Sequence, residues 1–199
     1  MSTNIIDQSL SYATQIILEE LSTDFIYHNL DHTLSVLSQC KLLGTHEGVS
    51  TEDQEILNIA AIFHDLGYRY AYIGHEAHSV KIAIKFLEEV NYPSEKLAVI
   101  VGCIEATVVD NQPNTLLEQI IKDADLAALA GEKFEDTSAS LRYEWKAFCD
   151  ELYTDKEWYQ INFDFMEKHS YFTESAKKIY GEGKRANLAR MVELLAEEG

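Results

Sequence analysis

Apolar residues recur at helical spacing almost from one end of this chain to the other, and that periodicity limits the fold more than any single motif. Ile5, Ile6, Leu10, Ala13, Ile17 and Leu21 form the first such stripe. A second runs from about Asp31 through Leu34, Leu37 and Leu42. A third carries Ile56, Ile59, Ala60 and Phe63. Ser50, Ser94, Thr115 with Glu118, Thr154 with Glu157, and Thr173 are residue types that open helices. Only two prolines, Pro93 and Pro113, interrupt the chain. Val99–Val101 is β-branched but lies inside a 3.6-residue pattern, so it does not argue for a strand. Phe25–Leu30 and Val108–Asn114 read as connectors. The last third reads as three helices, about 132–152, 155–169 and 174–197, with Gly181 and Gly183 weakening the last at its middle. The expectation is an all-α chain forming one domain.

The length of 199 residues and a hydrophobic content of 46% suit one packed core. Sixteen basic against 34 acidic residues leave a net charge of -18. Such a surface is repelled by nucleic-acid backbones, so no polymeric nucleic-acid partner is expected. Met1–Asn4 has no basic lead and no long apolar run, so no secretory signal is read. No apolar run approaches the roughly 18 residues of a membrane span. Three widely spaced cysteines, Cys40, Cys103 and Cys149, suit a reduced, cytoplasmic setting.

The stretch Ile59–Tyr68 stands out. An apolar helix ends on His64-Asp65 and meets Gly67, read as a left-handed helix stop. A histidine and an aspartate at the end of a buried helix need a shared partner, and a cation is the economical one. Adjacent helical side chains point about 100° apart, so the two can flank an ion between them. Other polar residues interrupt apolar helices. His28 and His32 are spaced i, i+4, His75-Glu76 begins a helix, and Asp123 and Asp125 sit within Leu116–Leu129. A mixed set of imidazoles and carboxylates suits Mn, Fe, Ni, Zn or Mg.

The ordered pattern of His32, His64-Asp65 and Asp125 on an all-helical background resembles the HD-domain superfamily of metal-dependent phosphohydrolases. Tyr27-His28-Asn29-Leu30-Asp31-His32, His64-Asp65-Leu66-Gly67-Tyr68, Gly74-His75-Glu76 with Ser79, and Lys122-Asp123-Ala124-Asp125-Leu126 resemble a bacterial branch of it. The resemblance implies an HD-domain helical bundle, with a metal-site core over about 25–130 and extra C-terminal helices over about 132–198. It implies His32, His64, Asp65 and Asp125 as ligands of one divalent metal ion. Dinuclear members add histidines after the His-Asp pair. Here Gly102–Thr107 has none, although His75, His78 and Glu105 are available.

The implied activity is hydrolysis of a phosphate ester of a nucleotide or nucleotide-like small molecule. The metal acidifies a bound water, Asp65 holds the metal, and Glu76 or His75 manages the proton. Arg69 and Lys122 are the candidates for binding the substrate's phosphate. Two alternatives share the fold, a non-catalytic nucleotide-binding signalling module and a di-iron oxygenase. A homodimer is compatible with the sequence. His28 reads as a partner that orients a ligand, and Asp123 as exposed or in an outer position. Tyr68, Tyr70 and Tyr72 read as the mouth of a pocket. Trp145, Trp158, Tyr159, Phe163 and Phe165 read as core packing.

Overall fold

A computed structural model describes residues 4–198; Met1–Thr3, on which the leader reading rests, and Gly199 lie outside the described residues. Its elements run α1 (Ile5–Glu20), α2 (Leu30–Glu47), α3 (Thr51–Phe63), α4 (His75–Glu89), α5 (Ser94–Ala106), α6 (Leu116–Asp125), α7 (Phe134–Cys149), α8 (Asp155–Lys168) and α9 (Glu174–Glu197). Two 3-10 turns, Leu66–Arg69 and Leu126–Ala130, follow α3 and α6 directly. Among the described residues there is no strand. The all-α expectation holds.

The helix starts follow their caps. Asn29 accepts from the backbone of Asp31 and His32 and opens α2. Ser50 caps α3. Thr115 with Glu118 and Thr154 with Glu157 form reciprocal capping boxes. Asn29 matters most here, because the start it fixes turns His32 inward in the first turn of α2.

Helix α3 is the axis of the molecule. Ile59, Ala60, Ala61, Ile62 and Phe63 are all fully buried, so the helix is covered on every side. It packs against α1, α2, α4, α5 and α6. Each large apolar side chain buried this way stabilises the fold by about 1.5–3 kcal/mol relative to exposure. His64 and Asp65, at its C-terminal end, are therefore carried to the centre of the domain.

A second, smaller cluster joins Leu129, Phe134, Met166, Met191 and Leu194, beneath α7, α8 and α9. The long α9 crosses behind the 3-10 turn after α6.

Three local readings change. Gly67 is not left-handed; among the described residues the positive-φ glycines are Gly48 and Gly74. Gly67 is required because a methyl there would overlap the carbonyl of His75, where α4 crosses the turn after α3. Gly181 and Gly183 do not break α9, which continues through both. At Gly183 the helix approaches the backbone of Ala130 too closely for a side chain. Asp123 is fully buried, not exposed. Its carboxylate accepts from the amides of Phe172 and Thr173 at 2.9 and 2.8 Å and from the Thr173 hydroxyl at 2.7 Å, which pins the start of α9.

Candidate metal centre

Four side chains from three places in the chain converge at the end of α3. His32 comes from the first turn of α2, His64 and Asp65 from the end of α3, and Asp125 from the last residue of α6. Asp65 has φ -105° and ψ 0°, the conformation between helix and strand where the chain turns. That turn brings its carboxylate round to the ring of its neighbour. His32 Nε2 lies 3.2 Å from Asp65 Oδ2 and 3.2 Å from Asp125 Oδ1. His64 Nε2 lies 3.2 Å from Asp65 Oδ2, 3.5 Å from Asp125 Oδ1 and 3.3 Å from His32 Nε2.

This donor set fits a metal ion on three grounds. First, metal–nitrogen and metal–oxygen bonds of about 2.0–2.2 Å place neighbouring ligand atoms roughly 3 Å apart, close to the spacings here. Second, the His64 Nδ1 donates to the Ala61 carbonyl at 2.8 Å, since a carbonyl oxygen only accepts. The lone pair of Nε2 then faces the cluster, the usual way a backbone carbonyl orients a ligating imidazole. Third, Asp65 Oδ2 is buried and has no hydrogen-bond partner, which a bare carboxylate oxygen tolerates poorly. Among the described residues, His32, His64 and Asp125 form a group able to hold a metal.

The electrostatics agree. Burial acts to lower the pKa of His32, but the carboxylates of Asp125 and Asp65 beside it override burial and push it up to about 9. His64 is raised against burial by the same carboxylates. Asp65 and Asp125 are held well below the usual carboxylate range: burial alone would raise them, and the imidazoles more than offset it. The site is a place where positive charge belongs.

His75 and Glu76 stand beside it, at the start of α4. His75 Nε2 is 3.1 Å from Asp65 Oδ1, so the two oxygens of Asp65 face different groups. Its Nδ1 is 3.7 Å from Glu76 Oε2. Burial acts to lower the pKa of His75, and Asp65 raises it overall. Tyr68 stacks on the His75 ring at 3.7 Å and 16°. The Tyr68 hydroxyl is 3.1 Å from His28 Nε2. His28 Nδ1 is in turn 2.6 Å from Glu144 Oε2.

Glu144 is a residue that the sequence reading missed. It is fully buried, and it also accepts from the backbone amides of Tyr27 at 2.6 Å and His28 at 2.9 Å. One carboxylate of α7 thus fixes the loop before α2 and, through His28 and Tyr68, the ring of His75. The available signal was its position among Leu141, Trp145 and Phe148, on the apolar side of its helix.

The cluster opens into a cavity of about 270 Å³ that Asp65, Asp125, His28, His75 and Glu76 line on the metal side. That is near the low end of the ~300–1,000 Å³ usual for small-molecule sites. Tyr68 and Tyr72 also line it, whereas Tyr70 is exposed and packs near His78. Trp145, Trp158 and Phe165 form part of its wall rather than plain core.

The two cations expected at a phosphate are committed elsewhere. Arg69 forms an ion pair with Glu20 and lies over Tyr70. The ammonium of Lys122 donates to the carbonyls of Ala106, Val108, Val109 and Asn111 at 2.6–3.1 Å, closing the loop between α5 and α6. Neither is among the residues lining the cavity. Glu105 is exposed and does not line it either. No described helix is long and apolar enough to cross a membrane.

Comparison with known proteins bears on the whole chain. A crystal structure from an uncultured Thermotogales bacterium, described as a predicted HD superfamily hydrolase, superposes with a TM-score of 0.65 at 16% identity. The match covers 97% of this chain and 92% of that one. A crystal structure from Lactobacillus plantarum superposes with a TM-score of 0.72 at 19% identity, covering 99% and 98% of the two chains. These likenesses establish a shared fold that includes the C-terminal helices. No curated protein matches the sequence. The family model for the HD domain matches residues 29–129, from the cap of α2 to the turn that follows Asp125, and the chain belongs to the HD domain family.

Proposed function

We propose that this protein is a metal-dependent hydrolase of small phosphate esters. The observation that carries the reading is the convergence of His32, His64, Asp65 and Asp125 within 3.2–3.5 Å at the mouth of a cavity, with the buried Asp65 Oδ2 left without a hydrogen-bond partner. These four residues would hold one divalent ion. When bound, the ion supplies Lewis-acid polarisation of a phosphoryl oxygen and acidifies water.

The rest belongs to the chain's own residues. The start of α4 has no side-chain cap, so its free amide groups favour an anion beside His75 and Glu76. His75, with Nε2 3.1 Å from Asp65 Oδ1, is the group placed to give a proton to the leaving oxygen. The Glu76 carboxylate, on the same helix start, accepts a proton from the attacking water. The His28–Glu144 pair and the ring of Tyr68 hold His75 in place. The aromatic walls keep bulk water away from the reacting group.

Two other readings of this fold find less support. A di-iron oxygenase needs a second complete ligand set; His75 stands beside Asp65, but Glu105 is exposed away from the cavity and adds no second ligand. A purely binding module does not call for the acid–base pair of His75 and Glu76 beside the ion site.

The test is phosphate release from a panel of phosphate esters with added Mn, Fe, Ni, Zn or Mg. Metal-dependent release that is lost in both His64→Ala and Asp65→Ala is the expected result. Equal release by the parent and both variants would overturn the assignment.

A further inference from the structure

The cavity is built with two unlike ends, and the contrast narrows the substrate. This inference rests on the proposed phosphate-ester chemistry of the metal end. That end carries the carboxylates of Asp65, Glu76 and Asp125, and no lysine or arginine lines any part of the cavity among the described residues. The far end is walled by Leu129, Phe134, Leu141, Trp145, Trp158 and Phe165.

The few polar groups at the far end are spent within the wall, the Thr137 hydroxyl on the Lys133 carbonyl at 2.9 Å. The Trp158 indole N–H donates to the Ser138 hydroxyl at 2.8 Å. That hydroxyl donates to Asn162 Oδ1 at 3.0 Å, and the Asn162 amide donates to the Trp158 carbonyl at 2.8 Å. A site that reads a nucleobase edge presents donors and acceptors to it and leaves them unpaired when the edge is missing. Here they are already paired within the wall.

A chain of two or three phosphates would also carry its extra charge past carboxylates with no cationic side chain to receive it. A single phosphate needs only the metal ion and the start of α4.

We infer that the substrate is a monoester of a single phosphate with an apolar alkyl or aryl alcohol, whose body fills the space between α7 and α8. Hydrolysis then breaks the bond between phosphorus and the alcohol oxygen and forms one between phosphorus and the water oxygen. The alcohol leaves with a proton, and inorganic phosphate is the other product.

Both tryptophans of the chain line this cavity, so intrinsic fluorescence reports on it directly. The experiment uses the full chain with Mn. It compares kcat/KM for 1-naphthyl phosphate and hexyl phosphate with that for thymidine 5′-monophosphate and ATP. In parallel, 1-naphthylphosphonate is titrated as a ligand that cannot be hydrolysed, with tryptophan fluorescence as the signal. The expected result is at least a tenfold preference for the apolar monoesters and saturable quenching by the phosphonate. Leu141→Arg should lower kcat/KM for 1-naphthyl phosphate at least tenfold with its metal content retained.

Preference for ATP or thymidine 5′-monophosphate, with no quenching by the phosphonate, overturns this inference and leaves the hydrolase reading intact. Quenching without hydrolysis of any ester supports the ligand class and overturns the hydrolase reading. Absence of both quenching and hydrolysis overturns both.

Discussion

Asp65 divides its carboxylate between two tasks: Oδ1 faces His75 Nε2 at 3.1 Å, while Oδ2 turns to the two imidazoles of the metal cluster. A single side chain therefore ties the proton carrier to the ion. Replacing His75 with alanine removes the proton carrier and one partner of Asp65 Oδ1, and keeps all four ligand side chains. The expected result is a loss of kcat of about 10²–10⁴-fold with metal content still near one ion per chain. Elemental analysis alongside the kinetics checks this. A fall in metal content that parallels the loss of activity would make His75 a ligand instead.

The close crossing of α4 over Gly67 sets the position of His75. A methyl group at Gly67 overlaps the His75 carbonyl, and the Gly67 amide donates to the Ser79 hydroxyl at 2.8 Å. Gly67→Ala should cost about 1–3 kcal/mol in urea unfolding and displace His75, lowering kcat as well. A variant as stable and active as the parent would show that α4 moves aside freely.

How far the sequence discloses this site depends on where each signal lies. Caps are local, so Thr115 with Glu118 and Thr154 with Glu157 are legible from a few residues each. His64-Asp65 is legible because two polar residues end a wholly apolar helix. His32 and Asp125 join it through the family pattern, and the structure brings all four together. The misread residues depend on tertiary approach. Lys122 looks like a phosphate ligand in one dimension, yet its ammonium meets carbonyls that the loop delivers from 11 to 16 residues earlier. Gly67 looks like a helix stop, and its real constraint is a helix crossing. Glu144 pairs with His28, 116 residues away, which no local pattern announces.

Lys122 gives a direct test of that correction. Lys122→Met removes a buried charged donor from four carbonyls at once. The expected cost is about 2–4 kcal/mol in denaturant unfolding, with KM for the substrate changed less than threefold. A rise in KM of tenfold or more at unchanged stability would return Lys122 to the phosphate.

His169 should make the fold sensitive to acid. Both its ring nitrogens are buried without a hydrogen-bond partner. Burial, then the nearby charges of Lys184 and Lys122, pull its pKa down to about 4 from an ordinary 6.5. In the folded chain it stays neutral where the unfolded chain takes up a proton. Its contribution is thus complete above pH 6.5 and is lost as pH falls toward 4. Allowing for partial exposure of the ring, the loss is about 1–2 kcal/mol. His169→Phe should flatten the stability profile over that window, as read by urea unfolding at several pH values. An unchanged slope would assign the acid sensitivity to other groups.

The central claim is that His32, His64, Asp65 and Asp125 together hold one divalent ion. Metal content by elemental analysis, on protein purified without a metal-affinity tag and compared with His64→Ala and Asp125→Ala, tests it most directly. The account predicts about one transition metal per chain in the parent and at least a tenfold loss in both variants, each still folded. Two ions per chain, or undiminished metal in the variants, would contradict it.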